Sequence, residues 1–230
     1  MTFDAAALAR EYPRLYHMAE AGSWSSIRAR GLLSTTALLD LFDVRGQTRT
    51  AIEAAHRPES VPIEHARYGT AVIRDQKPMS DRALIKCLQD GLTPSDWYQF
   101  LNRHVFFWLS RSRLDGLLGA RAYRNVRHTI LEVDTASLVE AYADRVVLSP
   151  INSGSTIMKP QPRGVDTFQS IASYPYDAWR AKRGRHDAIV ELAVRGGVPD
   201  IECFVLRVTE EGGGAQAHTL YARDNRRDSA

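Results

Sequence analysis

A carboxylate inside an apolar run is the residue of this chain that most needs a partner. Glu191 lies in the stretch His186 to Val194, where Ile189, Val190, Leu192 and Val194 are apolar, and Gly196, Gly197 and Pro199 close the run. Short, β-branched and bounded by turn residues, it reads as a buried strand with Glu191 in its middle. A charge there is costly unless it is hydrogen-bonded, paired or facing a cleft. Paired with Arg207 or another arginine, Glu191 is structural. Facing a cleft, it can stabilise developing positive charge or take a proton from a nucleophile.

Other segments carry polar groups at element ends. His17 lies on a short strand from Arg14 to Met18, either as a core histidine with one satisfied nitrogen or as a ligand contact. Arg74-Asp75-Gln76 follows a short strand, Ala71 to Ile73, and precedes Pro78. It could grip a nucleotide or form a salt-bridged loop. Asn152 to Thr156, with Gly154 and Ser155, is donor-rich and could cradle phosphate or ribose, although one such loop is not specific. Arg180, Lys182, Arg183 and Arg185 form a basic cluster that could guide a nucleic-acid backbone or be a solvated face. Trp97, Phe100, Phe106 and Trp108 read as core, and His104 as structural.

The elements that hold these groups mix helix and strand, with helices concentrated in the first half. Ser23 is placed to cap a helix that Gly31 stops. Helices are expected over 36–43, 47–56, 81–90 and 113–123, and Thr93-Pro94-Ser95-Asp96 opens another. Pro58 and Pro62 bound an irregular stretch. Strands are expected over 104–110, 129–133, 145–149 and 202–209, and Asp134 caps a helix reaching Tyr142. Residues 150–176 form a long loop, 177–182 one helical turn, and 211–230 a frayed tail.

The chain has 230 residues, 44% of them hydrophobic and 25% charged, as in an ordinary globular protein. A formal charge of +3 is too small for a protein that coats DNA. Of the 30 cations, 26 are Arg and 4 are Lys, which suits planar anion recognition or reflects codon usage. The absence of a signal-like N-terminus or an apolar span, together with two distant cysteines, Cys87 and Cys203, points to the cytoplasm and away from membranes.

Four segments in order resemble the ADP-ribosyltransferase fold, and within it the DarT-like branch that modifies DNA bases. They are Leu15-Tyr16-His17-Met18 with Ser26 to Ser34, the aromatic strand Phe106-Phe107-Trp108-Leu109, Thr129 to Ser149, and Val190 to Ile201. The resemblance implies an α+β fold: one domain over 1–210, with a split mixed β-sheet, a helical insertion at about 38–101 and a NAD cleft. Within that cleft it implies that Glu191 bonds the nicotinamide ribose, that His17 holds the adenosine ribose, and that Phe107 or Tyr123 stacks on nicotinamide. Tyr16, Ser34 and Ser155 join the NAD-binding set, and Arg74 and Arg103 compete for the catalytic arginine.

The implied activity is NAD-dependent transfer of ADP-ribose to a DNA base, an RNA or a protein, in a toxin–antitoxin or defence setting with an antitoxin as a further partner. No metal is needed. The alternative is a non-catalytic module on the same fold that binds NAD, ADP-ribose or nucleic acid. A phosphate-removing RNA transferase and a DNA-docking interaction protein stand behind these.

Overall fold

The computed structural model describes residues 3–157 and 159–223. In the first part of the chain the strands are β1 (Arg14–Glu20), β2 (Leu32–Leu33), β3 (Val61–His65), β4 (Gly69–Ile73), β5 (His104–Trp108) and β6 (Arg127–Asp134). Then come β7 (Val146–Ser149), β8 (Gln169–Ser170), β9 (Glu191–Arg195), β10 (Gly197–Val198), β11 (Val205–Gly212) and β12 (His218–Ala222). The helices are α1 (Ala5–Glu11), α2 (Trp24–Arg30), α3 (Thr35–Leu41), α4 (Gly46–Glu53) and α5 (Asp81–Ile85). They continue with α6 (Pro94–Asn102), α7 (Arg111–Leu118), α8 (Thr135–Tyr142) and α9 (Tyr176–Arg183). The fold is α+β.

Local chemistry sets most element ends. Thr93 and Asp96 form a reciprocal capping box, with Pro94 opening α6. Ser80 and Asp134 accept from the backbone N–H groups of Ala83 and Ser137 at the starts of α5 and α8. Ser23 does not cap α2, because its backbone is already helical and its hydroxyl donates to the Glu20 carbonyl. α5 stops at Ile85, well short of Asp90, and the chain then turns through Asp90 and Gly91, both at positive φ. Tyr123 lies beyond α7, in a run of turns.

Eight strands form one sheet in the order β12-β11-β6-β1-β5-β9-β7-β8. Every strand pair in it is antiparallel, so the expected mixed sheet is corrected. No hydrogen-bonded neighbours are joined by the crossover that a parallel pair requires. Side chains alternate across the strands. Val105, Phe107, Leu192 and Val194 face the main core with Leu15, Leu138 and Trp24. Ala193, with the partly buried Phe106 and Val147, faces a second cluster built on Trp97, Leu101 and Phe168.

The insertion is not purely helical. The stretch around Pro62 pairs as the β3–β4 hairpin, and Ile63, Ala71 and Ile73 pack with Leu39, Phe42 and Ile52 in a small core of their own. Proline is tolerated there because each strand of a two-stranded ribbon has an unpaired edge. The expected tail is corrected as well: after the Gly212-Gly213-Gly214 turn, β12 pairs with β11. Arg226 and Arg227 lie outside the described residues. The long loop after β7 contains β8 and short 3-10 turns, and α9 has eight residues where a single turn was expected.

Two glycine turns bring distant segments together. β2 pairs with β10, so the Leu32-Leu33 turn meets Gly197-Val198. Gly31 and Gly197 have φ of +89° and +102°. A Cβ on Gly31 would lie 2.3 Å from the Pro199 Cα, and one on Gly197 would lie 2.4 Å from the Leu32 carbonyl oxygen. Only glycine fits either place.

Candidate active site

The sheet is nearly cut in two at its centre. β1 and β5 share one residue pair, Tyr16 with Trp108, whereas β1 pairs with β6 along its whole length and β5 with β9 along five residues. Beyond that pair the strands part, and a cavity of about 600 Å³ occupies the gap. That is within the usual range for a small-molecule site, about 300–1,000 Å³. Its walls are the facing edges of β1 and β5, α2 with β2, the end of β4, and the loop after β7.

His17 sits where the strands divide. Its Nδ1 lies 2.8 Å from the Phe106 carbonyl oxygen, which can only accept, so Nδ1 carries the proton. Burial, opposed by the Phe106 bond and helped by the charge of Arg74, lowers the imidazole pKa to about 4. The ring is therefore neutral at pH 7, with Nε2 left as an acceptor. Its plane tilts against Phe107, with ring centroids 5.7 Å apart.

Glu191 is the first residue of β9 rather than its middle, opposite both Trp108 and Ser149. It is 4% exposed and lines the cavity. One oxygen accepts from the Ser153 N–H at 3.0 Å. Burial pushes the carboxyl up to about 7, opposed by Ser153 and more weakly by Arg163 and Arg113. Arg207, whose pairing would have made Glu191 structural, is elsewhere, bonding Thr219 on the far strand. A carboxyl that titrates near neutrality in a cavity can act as a proton acceptor.

Arg74 enters the cavity from the end of β4. Its guanidinium lies 5.2 Å from the centre of the Tyr123 ring and donates to the Met18 carbonyl at 3.4 Å. Glu20 and Asp75 stand 4.0 and 3.8 Å away, and the buried Nε, which faces Glu20, makes no hydrogen bond among the described residues. Tyr123 donates to Asp75 at 2.7 Å, and burial raises its phenol pKa. Arg103, the other candidate arginine, is exposed at the C-terminal end of α6 and does not line the cavity.

Three other expected binding residues are misplaced. Tyr16 pairs with Trp108 but does not line the cavity; the charges acting on its phenol are Glu132, Arg111, Arg14 and Asp115. Ser34 is 1% exposed and caps α3 through the Ala37 N–H. Ser155 is on the far side of its loop, in a second cleft. Phe107 and Tyr123 both line the cavity, although each is at most 5% exposed.

Two buried arginines that sequence reasoning passed over shape the site. Arg163 is 1% exposed and donates to the carbonyls of Gln161, Ser153 and Ser155 at 3.1, 2.8 and 2.9 Å. It fixes the loop whose Ser153 N–H meets Glu191. Arg57 donates to the Arg74 and Ile52 carbonyls and to Asn102, tying the Arg74 segment to α4 and α6. Neither residue lies in a motif, and buried arginine is rare enough that no pattern announces it.

The central sheet of this α+β protein opens around an acid, an imidazole and a guanidinium, and the opening is a cavity large enough for a small molecule. By sequence the chain belongs to the DUF7002 family, a family of unknown function, which matches residues 13–205 and so spans every cleft residue named here. No curated protein matches the chain. No helix among the described residues is long and apolar enough to cross a membrane.

Proposed function

We propose that the protein is an ADP-ribosyltransferase-like enzyme that uses NAD and transfers ADP-ribose to an acceptor nucleophile. The observation that carries this reading is the meeting of His17, Arg74 and Glu191, from three separate elements, around one cavity at the division of the sheet. The residues suit NAD: an acceptor nitrogen for a ribose hydroxyl, aromatic walls for a pyridinium, and for a pyrophosphate a guanidinium whose buried Nε makes no hydrogen bond among the described residues. NAD supplies an anomeric carbon whose bond to nicotinamide breaks with the electron pair going to the pyridine nitrogen.

Glu191 has two tasks in this chemistry. Its carboxylate stabilises the positive charge that grows on the ribose as that bond lengthens. It then takes the proton lost by the acceptor as the acceptor's lone pair bonds the anomeric carbon. The Ser153 N–H holds the carboxylate in place. His17 and Arg74 bind and orient, and the apolar walls exclude water.

The test is incubation of the pure protein with labelled NAD, alone and with DNA, RNA or cell lysate, reading nicotinamide release and label transfer. Release that is lost in Glu191→Gln supports the reading. NAD binding by calorimetry without any release selects the non-catalytic module, and no NAD binding removes both.

A further inference from the structure

Beyond the Ser153 loop lies a second cleft of about 440 Å³. Arg113, Lys159, Arg163 and Arg183 line it against one acid, Asp187. Asp187 is committed to Arg113, 2.5 Å away. Arg163 and Arg183 donate to main-chain carbonyls, which leaves their charge unanswered by any carboxylate in ion-pair range among the described residues. Arg113 Nε is also buried with no hydrogen-bond partner among the described residues. The Arg163 fork is spent on its three carbonyls, so it adds charge but no free donor; Lys159 and the uncommitted nitrogens of Arg113 and Arg183 are the donors that this concave, positive site offers to a phosphate.

The cleft adjoins the first cavity. Asn152 lines both, and Val190, next to Glu191, lines the second. α9 carries the positive surface onward: Arg183 and Lys182 lie 4.2 and 5.2 Å from the Trp179 ring, and Arg180 precedes them on the same helix. Further cations on the helix that supplies Arg183 suit successive phosphates along a strand, whereas an isolated phosphoprotein group needs only the pocket.

We propose that this cleft holds a backbone phosphate of a nucleic-acid strand, and so presents one of its nucleotides to Glu191 as the acceptor. The acceptor part of this rests on the transferase reading above; the binding part does not.

Fluorescence anisotropy with short labelled single-stranded DNA and RNA, without NAD and over a range of salt, tests it. Lys159→Glu and Arg183→Gln should each weaken binding by about ten-fold and reduce the salt slope by about one. Arg67→Gln, on the exposed β3–β4 turn, should leave it unchanged, and Glu191→Gln should still bind. Thermal melts confirm folding, and Lys159→Glu, at the loop surface, serves if Arg183→Gln is unstable. Three results would overturn the proposal: no oligonucleotide binding, a loss no larger than that of Arg67→Gln, or a phosphopeptide binding as tightly as the strand. Because the titration contains no NAD, a protein that binds the strand but never releases nicotinamide sinks the transferase reading and leaves the phosphate site standing.

Discussion

The His17 imidazole bridges the division of the sheet, with Nδ1 donating to the Phe106 carbonyl at 2.8 Å just past the last residue pair shared by β1 and β5. One side chain thus replaces the ladder that a continuous sheet would have there, and fixes the direction of Nε2 at the same time. His17→Ala should remove both functions. It leaves a buried carbonyl without its donor, at a cost of about 1–3 kcal/mol in denaturant unfolding. NAD affinity should fall by about ten-fold or more in calorimetry. Unchanged NAD affinity would take His17 out of the site.

Glu191→Gln keeps the shape and the Ser153 contact but cannot accept a proton. NAD turnover should fall by about 10²–10³-fold with little change in NAD affinity. In the wild type, turnover should rise as the pH passes about 7, where the carboxyl ionises. Turnover that is flat from pH 6 to pH 8 would argue against Glu191 as the base.

The same two groups oppose each other in stability. Glu191 is raised from 4.5 to about 7 on folding, so its contribution is complete below pH 4.5 and is lost as the pH rises towards 7. His17 is lowered from 6.5 to about 4, so its contribution is complete above pH 6.5 and is lost as the pH falls towards 4. Each is worth on the order of a few kcal/mol, so between about pH 4.5 and 6.5 they largely cancel. Glu191→Gln should therefore show a melting temperature that rises with pH across this window. His17→Asn should show one that falls, and parallel curves for the two variants would refute the assignment.

Arg74 and Arg103 separate cleanly by position. Arg74→Ala should weaken NAD binding by about ten- to a hundred-fold, as loss of a charge-assisted contact predicts. Arg103→Ala, exposed and outside the cavity, should bind NAD as the wild type does. Equal losses in the two variants would mean a general effect of charge.

Arg163→Lys keeps the charge but cannot reach three carbonyls in a fork. Unfolding should show a loss of about 2–4 kcal/mol from buried carbonyls left unpaired. Turnover should drop with it, because the Ser153 N–H is no longer held. Gly197→Ala should be worse still, since the added Cβ meets backbone at 2.4 Å; soluble, folded Gly197→Ala protein would contradict the β2–β10 packing.

Read alone, the sequence established the α+β class, the strands bearing His17, the Phe106–Trp108 aromatics and Glu191, and the capped helices from Thr93 and Asp134. Those features arise from local rules: apolar periodicity, β-branching and capping act over a few residues and are written in consecutive letters. It also singled out Glu191 as a group in need of a partner and Arg74 as a candidate for nucleotide contact, but it could not choose between Arg74 and Arg103, because both follow or end a regular element and only Arg74 lines the gap. It misplaced Tyr16, Ser34 and Ser155, which are near the right residues in sequence and turned away from them in space. It missed Arg57 and Arg163, the hairpin at Pro62 and the strand in the tail. The division of the sheet, the neutral imidazole, the raised acid and the second cationic cleft were decided by tertiary structure alone, because burial and the distance between charges depend on contacts such as that of His17 with Phe106, 89 residues apart, rather than on the order of neighbours.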